Sequence, residues 1–148
     1  QWFAVSLIVL VLFQIAAGGF VAGLDAGMGY ATWPLMDGQW APAGLFAMSP
    51  GWINFFENAM TVQFNHRMLA YLVLASAVIY AWRARTAQSA ILALAVFAQA
   101  FPGVVTLLLG VPLAAALAHQ GGAMLLLAVA VWNLHSSLLI RSPGPDQR

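Results

Sequence analysis

Residues 86–140, TAQSAILALAVFAQAFPGVVTLLLGVPLAAALAHQGGAMLLLAVAVWNLHSSLLI, run for 55 positions without one Asp, Glu, Lys or Arg. A bilayer crossing takes about 20 mostly apolar residues, so this stretch is too long for one span and fits two. Gly110-Val111-Pro112 supplies the break between them. Pro102-Gly103 lies inside the first of the pair and is expected to kink that helix without ending it.

Upstream, the same criterion finds two more spans. One covers about residues 61–82 and ends at Arg83 and Arg85; the other covers about 2–22. The first run lacks the charged start and small-residue cleavage site of a signal peptide and is long enough to cross. A chain that opens on Gln1 and an apolar run is expected to be a fragment or a processed piece. Between these spans, residues 24–59 carry Trp33-Pro34, Asp37-Gly38, Pro42 and Ser49-Pro50-Gly51, which are turn signals. This segment reads as a long outer loop whose Trp33, Trp40 and Trp52 suit the headgroup boundary. Ser49 before Pro50 suggests a helix N-cap with proline at the first position, hence a short interfacial helix through Trp52, Phe55 and Phe56.

The predicted protein is therefore an all-α, up-down four-helix transmembrane bundle with spans at about 2–22, 61–82, 87–109 and 112–139. Residues 1–140 form one domain and 141–148 a polar tail. Arg83, Arg85, Arg141, Arg148 and both termini fall on one side, which the positive-inside rule makes cytoplasmic or its mitochondrial matrix equivalent. Composition agrees. Hydrophobic residues make up 63% of the chain and charged residues 6%, too few for the shell of a soluble enzyme. Five arginines against four acids leave a net charge of +1, with no basic surface for nucleic acid. Without cysteine there is no thiolate metal site, thioether haem attachment or cysteine nucleophile. No internal sequence repeat is evident.

Three histidines lie within the spans, where ionisable groups are functional candidates by default. At about 1.5 Å per residue, His66 lies about 13 Å beyond Glu57 and His119 about 10 Å beyond Pro112, so both sit at similar depth near the loop side. His135 is about 24 Å further along the fourth helix and reads as interfacial. Two imidazoles on different helices, with no carboxylate or thiolate to complete another shell, point to haem iron. A histidine merely bonded to a neighbouring helix explains either one equally well. Arg67 would meet haem propionates, or would snorkel to lipid phosphate. Gly121 and Gly122 beside His119 would admit a flat macrocycle, or serve helix packing, and Gly19, Gly23 and Gly27 suggest close helix contact. Asp25, Asp37 and Glu57 read as turn-formers and caps rather than a catalytic dyad.

Taken together, Gly23-Leu-Asp-Ala-Gly27, Trp33-Pro-Leu-Met, Phe55-Phe-Glu-Asn58, Thr61-Val-Gln-Phe-Asn-His-Arg67, Thr106-Leu-Leu and Ala118-His-Gln120 resemble haem A synthase of the proteobacterial and mitochondrial type, in order and over nearly the whole chain. The resemblance is to the carboxy-terminal half of an eight-helix enzyme that oxidises a methyl group of haem O to the formyl group of haem A. It implies a location in the bacterial or mitochondrial inner membrane, and a prosthetic haem b ligated by His66 and His119. It also implies an amino-terminal catalytic half as partner and haem O as substrate of the whole. Gln63 stands where the catalytic half has a glutamate, so no catalytic residue is assigned to this chain. Asn65 stands where the carboxy-terminal motif has aspartate, which leaves ligand and arginine in place.

Three alternatives accompany this reading. One is a half-size synthase that rebuilds eight helices as a homo-oligomer. Another is a stand-alone bis-histidine b-type cytochrome fed by quinol. The third is a haem-free packing subunit.

Overall fold

A computed structural model describes residues 1–139; Ile140 and the predicted tail, with Arg141 and Arg148, lie outside the described residues. Four helices account for the fold: α1 (Trp2–Gly23), α2 (Ala59–Ala84), α3 (Ala87–Leu108) and α4 (Leu113–Leu139). All four are long and apolar enough to cross a membrane. The shortest, at 22 residues, rises about 33 Å, slightly more than the hydrocarbon core. Their outer faces expose Phe13, Leu94, Phe101, Leu117 and Leu125, as lipid contact requires.

Local chemistry sets the helix ends. Asn58 caps α2 by accepting from the Thr61 amide. Arg85, in the left-handed conformation, closes the same helix, and Thr86 opens α3 through a reciprocal capping box with Ser89. Only Arg85 and Thr86 separate α2 from α3, which forces them antiparallel. As expected, α3 runs through Pro102 unbroken, and the next turn comes at Gly110 (φ +71°) and Val111 (φ +60°).

The helices pack in a ring, α1 on α2, α2 on α3, α3 on α4 and α4 on α1, with α2 and α4 parallel across the diagonal. At the arginine end Phe3 meets Tyr80 edge-on at 5.4 Å, and the Tyr80 hydroxyl donates to Asn133 Oδ1 at 2.9 Å across that diagonal. The apolar core fills this half of the bundle. It comprises Ala4, Leu7 and Val11 of α1, Val73 and Ala77 of α2, Leu92 and Val96 of α3, and Leu126 and Ala130 of α4.

The outer loop is ordered by its own hydrogen bonds. Met36 and Gln39 exchange two backbone bonds around Asp37 and Gly38, both at positive φ. Buried Asn54 donates to the carbonyls of Met48 and Gly51 and accepts from the Met48 amide. A five-residue 3₁₀ turn, Gly51–Phe55, occupies the place of the expected interfacial helix. Its N-cap is Pro50 rather than Ser49, because a single 3₁₀ turn begins one residue later and has no side-chain cap. Trp33, Trp40 and Trp52 are exposed at the loop end, and Trp2 and Trp82 at the arginine end, giving two aromatic rims.

Candidate functional site

Packing in the loop half of the bundle is of another kind. Its buried helix residues include Gln63, Arg67 and Thr106, and it holds five buried polar atoms with no partner: Gln14 Oε1, Gln63 Oε1, His66 Nδ1, Arg67 Nε and Thr106 Oγ1. An unpaired polar atom in such a place costs about 1–3 kcal/mol, so five together at one level mark a region that ordinary packing does not explain.

His66 and His119 lie in this half, on the two diagonal helices. Their height is fixed by the far end. Tyr80 comes 14 residues after His66 and Asn133 comes 14 residues after His119, and those two are hydrogen-bonded. Fourteen residues make nearly four turns and about 21 Å, which returns each helix close to the same face. The histidines are therefore level and near the faces that the Tyr80–Asn133 bond turns toward each other.

Each ring is held by the helix that precedes its own. Gln14 of α1 places its amide Nε2 3.3 Å from His66 Nε2. Gln99 of α3 donates from Nε2 to the His119 carbonyl at 2.7 Å and lies 3.1 Å from His119 Nδ1. One nitrogen of each imidazole is thus taken by an amide, and the other, His66 Nδ1 or His119 Nε2, is left available. Glycines make room for the rings. A Cβ on Gly18 would fall 3.1 Å from His66 Cε1, and one on Gly103 would fall 2.7 Å from His119 Cε1.

Neither glutamine was singled out in the sequence. The available signal was a polar amide in an apolar span, repeated as Gln14-x-x-x-Gly18 and Gln99-x-x-x-Gly103. The glycines that were singled out behave otherwise. Gly19, Gly23 and Gly121 have open space where a side chain would be, Gly27 abuts Val111, and Gly122 abuts the Gln99 side chain.

Arg67 does not reach out to lipid. It is buried and donates to the carbonyls of Tyr30 (2.7 Å), Thr32 (2.8 Å) and Leu35 (3.4 Å), tying the outer loop to α2. Gln63 reinforces the tie with a 3.0 Å bond to the same Tyr30 carbonyl. His135 is exposed near the arginine end, away from the other two. Asp25 and Asp37 adopt left-handed turn conformations, and Asp25 caps nothing with its side chain. Glu57 precedes α2 as an exposed turn residue, so the helical rise toward His66 starts at Ala59. Among the described residues no three His, Asp or Glu side chains gather to hold a metal ion by themselves.

Residues 1–131 match the cytochrome oxidase assembly protein family, COX15-CtaA. The chain belongs to that family. With its four apolar helices it is an integral membrane protein. It is 50% identical to a heme A synthase of Parvibaculum lavamentivorans over 89% of this chain and 40% of that protein. Identity is 51% to a heme A synthase of Allorhizobium ampelinum (88% of this chain, 38% of that one) and 53% to one of Azorhizobium caulinodans (88% and 39%). The chain thus spans about two-fifths of the length of these relatives, and the match is to their carboxy-terminal part. No solved structure matches it.

Proposed function

We propose that this four-helix unit is the haem b-binding half of a haem A synthase, with His66 and His119 as the residues that would hold the iron. One observation carries the reading. Two histidines from diagonal helices stand level in the polar half of the bundle, each with one ring nitrogen held by an amide and one left free, and the free Nδ1 of His66 is buried without a partner. A donor set of two imidazoles, with no carboxylate or thiolate beside them, suits haem iron better than a tetrahedral ion. When bound, the haem supplies a one-electron couple.

The chain's own residues do the rest. His66 of α2 and His119 of α4 would be the residues that hold the iron. Arg67 keeps a permanent cation beside His66, and its unpartnered Nε is a donor for a propionate while its remaining N–H groups hold the loop. Gln63 contributes an amide, which does not exchange a proton as a carboxylate does, so no chemical step is assigned to it. The role is electron supply to the oxidation of the haem O methyl group, performed by the amino-terminal half of the same protein. By the positive-inside rule, Arg83 and Arg85 favour an orientation with the α2–α3 turn and the start of α1 on the cytoplasmic or matrix face of an inner membrane and the loop on the opposite face.

Purified in detergent with its haem, the protein should give a low-spin b-type difference spectrum. Replacing His66 or His119 with alanine should abolish it, and replacing His135 should not. Retention of the spectrum in both of the first two variants would refute the assignment.

A further inference from the structure

The two histidines are held by the same device used twice. Gln14 and Gly18 are four residues apart on α1 and both touch the His66 ring; Gln99 and Gly103 are four residues apart on α3 and both touch the His119 ring. Positions i and i+4 share one helical face, so each pair presents an amide and, one turn on, a bare backbone patch to which the imidazole brings Cε1 closest. The second device is supported further: Gly122 lies against the Gln99 side chain, so Gln99 is itself wedged between α4 and the ring it holds.

Helix packing alone does not require these amides. In the arginine half the buried amide, Asn133, pairs with Tyr80 and not with a histidine, whereas Gln14 leaves its own Oε1 buried and unpaired to reach His66. An imidazole bonded at one nitrogen is fixed in rotation and presents the other nitrogen in one direction.

We propose that Gln14 and Gln99 are positioning residues that set the rotation of His66 and His119 and select which ring nitrogen each offers, the glycine of each pair making the space. The inference rests on the haem-ligand reading for its consequence. Its geometric content concerns only these six residues.

The test uses Gln14→Leu and Gln99→Leu in the full-length protein, with His66→Ala as control. In haem-loaded protein each Leu variant should retain a low-spin haem while its midpoint potential and the largest g value of its EPR signal shift from wild type. A purely structural role would lower the folded yield and leave the remaining haem spectroscopically unchanged, which would overturn the proposal. In haem-free protein, ¹⁵N-histidine NMR should show Gln14→Leu changing the ring-nitrogen shifts of His66 alone and Gln99→Leu those of His119 alone; unaltered shifts would also overturn it. If His66→Ala keeps its haem, the ligand reading fails, and the NMR arm still decides this one.

Discussion

Gly103→Ala is the sharpest probe of the site, because it adds one methyl group and nothing else. The new Cβ would lie 2.7 Å from His119 Cε1, 3.0 Å from Nε2 and 3.3 Å from Nδ1. Relaxed carbon contacts are about 3.5–4.0 Å, so the ring or the α3–α4 spacing must yield by roughly 1 Å. The ring is not free to swing, since Gln99 holds both Nδ1 and the His119 carbonyl. Overpacking of this kind costs about 1–3 kcal/mol. If the strain falls on the ligand geometry, haem retention should drop about 5- to 150-fold at 1.36 kcal/mol per tenfold. Gly18→Ala, whose closest approach to His66 is 3.1 Å, should cost less, and Gly121→Ala, with nothing within 4 Å, should behave as wild type. Haem titration of the purified variants, followed in the Soret band, measures all three. Equal affinity in Gly103→Ala and Gly121→Ala would refute the claim that His119 lies against α3 at this point.

Two further substitutions test the ends of the bundle. Arg67→Ala removes three bonds to loop carbonyls; a hydrogen bond from a charged group contributes about 1.5–3 kcal/mol, so loop opening should increase by about tenfold or more. Chymotrypsin should then cut more rapidly after exposed Trp40, and an unchanged cleavage rate would remove Arg67 from the role of loop anchor. Tyr80→Phe strands the buried Asn133 Oδ1 and should destabilise the bundle by about 1–3 kcal/mol in detergent unfolding. The double variant Tyr80→Phe, Asn133→Leu should recover part of that loss, and strictly additive losses would argue against the diagonal bond.

Periodicity and composition alone determined the architecture. The absence of charge over residues 86–140, broken at Gly110-Val111-Pro112, dictates two crossings, because hydrocarbon has no water to satisfy a charge or an open backbone. Depth was legible for the same reason. Helical rise is constant, so matching His66 to His119 and separating His135 needed only counting.

What surrounds those histidines was not legible, because it depends on which helix faces show each other and at what height. Gln14 and Gln99 are single amides in apolar runs, and only the ring of four helices brings each to an imidazole 52 or 20 residues away. By sequence Arg67 could equally snorkel to lipid, yet the loop, folding back by 32 to 37 residues, supplies three carbonyls to its Nη1 and Nη2 and leaves Nε unpartnered. The spacing of Gly19, Gly23 and Gly27 suggested close packing, yet the glycine of α1 that touches the site is Gly18. One residue turns a helix by about 100°, and only the tertiary structure decides which face is turned inward.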